Sequence, residues 1–119
     1  MTNEEVRTAL ETACASSDFP GTLSFRPTFG GILAYVGPRD FASISSVGLA
    51  FKLSSAQGRD LLKAGGKMLQ HDENSPASKT AVVVPEDMLA DLERLRTWAT
   101  RSAIYAKSLP PALRKRTVR

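Results

Sequence analysis

The sequence predicts an α+β domain: a curved antiparallel β-sheet of about five to six strands, packed against N-terminal and C-terminal helices, with a short helix between strands. Three observations predict it. Apolar residues recur at helical spacing at both ends of the chain, and form alternating or β-branched runs of strand length in between. Clusters of glycine, proline and serine separate those runs. The length, 119 residues, is that of one domain, and roughly two-thirds of the unfolded surface can be buried at this size. One hydrophobic core is therefore feasible without metal or disulfide.

Residues 2–17 form the first predicted helix. Thr2 caps it and Glu5 completes a capping box, satisfying two otherwise orphaned amides. Val6, Leu10, Ala13 and Ser17 mark its inward face, and Asp18-Phe19-Pro20-Gly21 stops it. Leu23 and Phe25 then alternate with Ser24 and Arg26, and Pro27, having no amide to donate, is expected to interrupt the ladder. Phe29–Val36 is the next extended run, and its Gly30-Gly31 pair predicts a bulge or a close backbone approach. Gly37-Pro38-Arg39-Asp40 carries turn chemistry. Phe41–Ser45 and Leu49–Leu53 flank Ser46-Val47-Gly48 as a hairpin, completing a meander with one face packed and the other partly wet.

Ser54 and Gln57 form a second capping box, opening a short helix through Leu61, Leu62 and Ala64 that Gly65-Gly66 ends. Lys67–Gln70 reads as a short strand, Asp72–Ser78 as an exposed polar loop around Pro76, and Thr80–Val84 as a buried strand. Pro85 suits the first turn of the last helix, where Glu86 and Asp87 complement the positive end of the dipole. Met88, Leu92, Leu95, Ala99 and Ser102 mark its inward face, widened by Leu89, Trp98 and Tyr105, while Arg94, Arg96 and Arg101 lie toward the negative end. Pro110-Pro111 ends it near Lys107. Residues 1–109 are thus the domain and 110–119 a flexible basic tail.

The net charge of +4 is unevenly placed. Residues 1–106 are close to neutral, and the positive excess lies in Lys107, Arg114, Lys115, Arg116 and Arg119. The body therefore offers no broad basic face of the kind that grips nucleic acid. The lone Cys14 excludes an intrachain disulfide, and the acidic start Met1-Thr2-Asn3-Glu4-Glu5 lacks the regions of a signal peptide. No apolar run approaches the ~20 residues of a membrane span. These features predict a soluble cytoplasmic protein with no membrane contact.

The order of several segments resembles one family. Arg26-Pro27-Thr28-Phe29-Gly30-Gly31-Ile32 is similar to the RxMFGG-type signature that opens the TfoX N-terminal domain, with Thr28 where methionine is commoner. Phe41-Ala42-Ser43-Ile44 and Gly48-Leu49-Ala50-Phe51-Lys52 resemble its hairpin ending in an apolar residue and lysine. Val82-Val83-Val84-Pro85-Glu86-Asp87-Met88-Leu89 looks like its late strand running into a helix. Trp98-Ala99 and Tyr105-Ala106-Lys107-Ser108-Leu109-Pro110 resemble the end of its short, standalone members. The resemblance spans roughly residues 5–110. It implies a curved antiparallel sheet against helices, and a regulatory role of the kind held by the competence regulators, whose second, helical domain does not fit in 119 residues. Arg26, Pro27, Phe29, Gly30, Gly31, Lys52 and Pro85 are the motif residues it implies for fold or binding.

Each candidate site has a plainer alternative. Phe29-Gly30-Gly31 could offer amides to a phosphate, but such cradles lead from strand into helix, and here the glycines lead into strand; a sheet bend is the plainer reading. Lys52 could meet a phosphate or an acidic partner, though lysines at strand ends are usually solvated. Arg26 reads likewise, with a structural ion pair as its alternative. His71, Asp72 and Glu73 are adjacent in a loop, rarely converge on one ion, and have no second histidine to help them. Cys14 sits beside an apolar helical face as a small hydrophobe. Glu86, Asp87, Asp91 and Glu93 gather at a helix start, where the dipole accounts for them better than paired catalysis. No serine sits in a Gly-x-Ser-x-Gly elbow, and no nucleotide or zinc pattern is present.

Arg114, Lys115, Arg116 and Arg119 are candidates for salt-dependent, sequence-independent nucleic-acid contact, against a plainer solubilising role. No helix rich in base-reading side chains accompanies them. The expected function is a non-enzymatic regulatory or accessory protein that binds a protein partner, with nucleic-acid contact through the tail. The alternatives are a standalone protein-interaction module or homodimer without a nucleic-acid role and, less favoured, a small-molecule binder or enzyme. No cofactor and no metal site are expected.

Overall fold

In the computed structural model, residues 2–28, 30–70 and 80–109 are described. Phe29, the His71-Asp72-Glu73 run, the expected loop around Pro76 and the basic tail from Pro110 onward lie outside them. Helix α1 spans Asn3–Cys14. The Thr2 hydroxyl accepts from the Glu5 amide at 3.1 Å, and the Thr2 amide donates to Glu5 Oε1 at 2.8 Å, the reciprocal box the sequence predicts. The helix ends three residues before the expected Ser17. Ser16 accepts through its carbonyl from the Phe19 amide and through its hydroxyl from the Asp18 amide, a turn that competes with helix continuation. Ser17 is therefore exposed, and Phe19 enters the core in its place.

The strands are β1 (Leu23–Thr28), β2 (Gly31–Val36), β3 (Arg39–Ser45), β4 (Gly48–Lys52), β5 (Lys67–Met68) and β6 (Ala81–Val83). They form one open sheet in the order β1-β2-β3-β4-β6-β5, with every pairing antiparallel. Pro27 does not break β1, which continues to Thr28 with Pro27 opposite Ile32. The reason is its place on an edge. The Gly37 amide donates to the Thr22 carbonyl, so alternation along the strand turns the backbone of Leu23, Phe25 and Pro27 away from β2. The missing amide faces the free edge, where no ladder bond is lost.

The glycine pair is a hairpin connection and not a bulge. Thr28 pairs with Gly31, and Gly30 between them takes φ 88°, a left-handed value open to glycine. Gly31 makes the close approach the sequence anticipates, since a Cβ there would run into the Ile44 carbonyl. The bulge falls elsewhere. Ala34 faces Ala42 but Tyr35 faces Asp40, leaving Phe41 as an extra residue on β3. Arg39 and Asp40, expected in a turn, accordingly belong to β3.

Helix α2 (Ser55–Lys63) is capped by Ser54, whose hydroxyl accepts from the Gln57 amide at 3.3 Å. Gln57 meets that same hydroxyl with its side chain at 3.4 Å, in place of the reciprocal backbone bond expected of a full box. At its exit the amides of Gly65 and Gly66 donate to the carbonyls of Leu62 and Leu61, with Gly65 at φ 106°. The single late helix expected from Pro85 is two: α3 (Glu86–Leu89), and α4 (Leu92–Ser108). Asp91 divides them, because its extended backbone and its side chain, accepting from the Arg94 amide at 3.2 Å, make it the cap of α4. Leu92, expected inside, lies just past this break and is 40% exposed.

Helices α1 and α4 pack against each other and cover one face of the sheet. Leu10, Ile44, Leu49, Phe51 and Leu95 meet there, almost wholly removed from water. Phe41 lies between Phe19 and Phe51, with ring centroids 5.7 and 6.5 Å away. Among the described residues no helix is long and apolar enough to cross a membrane.

Candidate docking surface

Strand alternation sends every second side chain to the face opposite the helices. In register across the sheet, that outer face carries Arg26, Leu33, Ser43, Ala50, Val83 and Lys67, with Tyr35, Asp40, Lys52 and Ala81 in the neighbouring row. Among the described residues no helix lies over the central row. Small side chains at Ser43, Ala50 and Ala81 make a low lane, and Leu33, Asp40, Ser43, Ala50, Lys52 and Leu69 border a cleft of about 260 Å³ that opens to solvent.

The bulge at Phe41 decides the chemistry of this lane. It turns Asp40 onto the outer face, where Lys52 Nζ donates to Asp40 Oδ2 at 3.1 Å. Both partners are partly exposed, so solvent screens the pair and it adds at most about 1 kcal/mol. Lys52 is thus ion-paired, not freely solvated. Arg26 finds a ring in place of an acid: its guanidinium lies 5.2 Å from the Tyr35 ring centroid, where the negative face of the ring attracts it.

No protein-family model matches this sequence, and no curated protein matches it either.

The motif residues are not gathered into one site. Arg26 and Lys52 share the outer face but stand three strands apart. Pro27, Gly30 and Gly31 lie around the β1–β2 hairpin, and Pro85 lies between the end of β6 and the start of α3. Phe29, Arg114, Lys115, Arg116 and Arg119 fall outside the described residues. Cys14 is buried, and desolvation pushes its thiol up to about 12 against a smaller opposing pull from Arg96. Such a thiol is a packing group at neutral pH. The Glu5 carboxyl is held below its ordinary value by the Thr2 backbone bond, then by the Thr2 hydroxyl. Among the described residues no three histidine, cysteine or acidic side chains are placed to share a metal ion.

Asp40 and Tyr35 are the surface residues that sequence reasoning missed. Simple alternation carried back from Ile44 puts Asp40 on the core face, and one inserted residue reverses that parity. A turn reading of Arg39-Asp40 concealed the insertion.

Proposed function

We propose that the chain is a non-enzymatic regulatory or accessory protein of the cytoplasm that works by binding other macromolecules, as its resemblance to the TfoX N-terminal domain implies. The observation that carries this reading is the outer face of the sheet, over which no helix lies among the described residues. It runs across six strands from Arg26 to Lys67 and combines apolar Leu33 and Val83 with hydroxyls and paired charges. Such a face suits a protein partner that lays side chains against the half-buried Leu33, Ser43 and Ala81. The basic residues Arg114, Lys115, Arg116 and Arg119 add sequence-independent contact with phosphates.

The test is affinity capture from native cytosol, with and without nuclease, comparing the native chain with Leu33→Glu. A protein partner retained after nuclease and lost on that substitution is the expected result. Capture indifferent to the substitution sinks the assignment of the face. Binding to random duplex should weaken steeply with salt and vanish when residues 112–119 are deleted; no binding at low salt removes the nucleic-acid part.

A second reading, an interaction module or homodimer with no nucleic-acid role, is favoured by the charge distribution. Residues 1–106 carry eleven basic and twelve acidic side chains, a net of −1, which gives the folded body little attraction for a polyanion.

A further inference from the structure

The side of α4 turned away from the sheet carries a regular stripe. Glu93, Thr97, Thr100, Ile104 and Lys107 recur at intervals of four and three residues, which keeps them on one line along the helix. Leu95, Trp98, Ala99, Ser102, Ala103 and Ala106 form the opposite, buried side. Ile104 is 54% exposed, the most exposed large apolar side chain among the described residues. The ends of the stripe carry opposite charge, Glu93 in the first turn of α4 and Lys107 in the last.

We propose that this stripe is a contact between two copies of the chain, laid antiparallel about a two-fold axis at Thr100. The proposal rests on the second reading above and makes no use of the outer sheet face or the basic tail. In this register each Glu93 faces the second copy's Lys107, each Ile104 packs beside the second copy's Thr97, and Thr100 meets its own counterpart. A two-fold contact must be self-complementary, and the stripe meets that condition because its acid and its base are equidistant from Thr100. A parallel arrangement would set acid on acid and base on base, so charge selects the antiparallel one. Nucleic acid fits worse, since Glu93 would face phosphate.

The polar groups tolerate the contact. Thr97 Oγ1 donates to the Glu93 carbonyl at 3.0 Å, so its proton is satisfied inside the helix. Lys107 Nζ donates to the Pro20 carbonyl at 2.6 Å, which holds the ammonium at the surface and leaves two N–H groups for a carboxylate. One helix face is a small area, so the dimer is weak, reversible and sensitive to salt.

Sedimentation of the full chain over rising concentration tests this at low salt and at about 1 M. A monomer–dimer equilibrium that shifts toward monomer in high salt is expected. Ile104→Asp should shift it further, and Glu93→Lys and Lys107→Glu should each weaken it while the double variant restores it. Thermal melts of the Ile104 and Glu93 variants should match the parent and separate lost contact from lost folding; Lys107→Glu also gives up its bond to the Pro20 carbonyl, so its melt should fall slightly. A chain that stays monomeric at every concentration overturns the proposal, as does a dimer indifferent to Ile104→Asp or a double swap that fails to restore association. None of these outcomes bears on partner capture by the sheet face.

Discussion

The Ser102 hydroxyl lies 2.8 Å from the Phe41 carbonyl oxygen, joining the middle of α4 to the bulge on β3. The Lys52 carbonyl, at the end of β4, lies 2.7 Å from the same hydroxyl. The inserted residue at Phe41 takes that carbonyl out of the regular ladder, and a buried carbonyl needs a donor. Ser102 is fully buried and supplies it. The contact that docks the helix thus also satisfies the irregularity that places Asp40 on the outer face.

Ser102→Ala should therefore destabilise the fold by about 1–3 kcal/mol, the range for leaving buried polar groups unpaired. The urea midpoint should fall with little change in slope. An unchanged midpoint would show that neither carbonyl depends on the hydroxyl.

Cys14 imposes a dependence on alkaline pH. Its thiol is raised from 9.0 to about 12 in the folded chain, chiefly by burial, so above pH 9 the unfolded state releases a proton that the folded state keeps. Stability is then fully present below the ordinary thiol value and is lost as pH rises from about 9 toward about 12. Denaturant midpoints at pH 8 and pH 10 should differ more for the native chain than for Cys14→Ala. A thiol reagent at pH 8 should label Cys14 only as urea opens the fold; rapid labelling of the native chain would contradict its burial.

Gly31→Ala should weaken the β2–β3 pairing. The added methyl meets the Ile44 carbonyl, part of a strand backbone that cannot turn aside as a side chain can. Overpacking of this kind costs about 1–3 kcal/mol. Thermal unfolding should shift downward, and amide exchange should quicken in β2 and β3 before it does in α4.

Asp91→Ala removes the side chain that accepts from the Arg94 amide at the start of α4. A lost cap costs about 0.5–2 kcal/mol. Asp91→Ser should recover most of it, because a serine hydroxyl can accept the same bond. Equal loss in both variants would mean that the charge of Asp91, not its capping geometry, holds the helix.

Much of this architecture was legible in local patterns. Thr2 with Glu5, Ser54 with Gln57, and Gly65-Gly66 mark helix ends through bonds made within a few residues, so their chemistry can be read without knowing the fold. The alternation in Leu23–Arg26 and the β-branched run at Thr80–Val84 likewise announce strands. The errors came where a local cue had two physical outcomes. Pro27 breaks an inner strand but not an edge strand, and Asp91 reads equally as an acid of the first turn or as a cap.

The amino-acid order by itself determined the kinds of element, their sequence and most of the core, because propensity, capping and hydrophobic period act over a few neighbouring residues. Tertiary structure decided which strand lies at the edge, that Phe41 is the inserted residue, and that Asp40 meets Lys52 across the outer face. Those outcomes depend on register between segments distant along the chain, where a shift of one residue exchanges core and surface, and no local pattern carries that information.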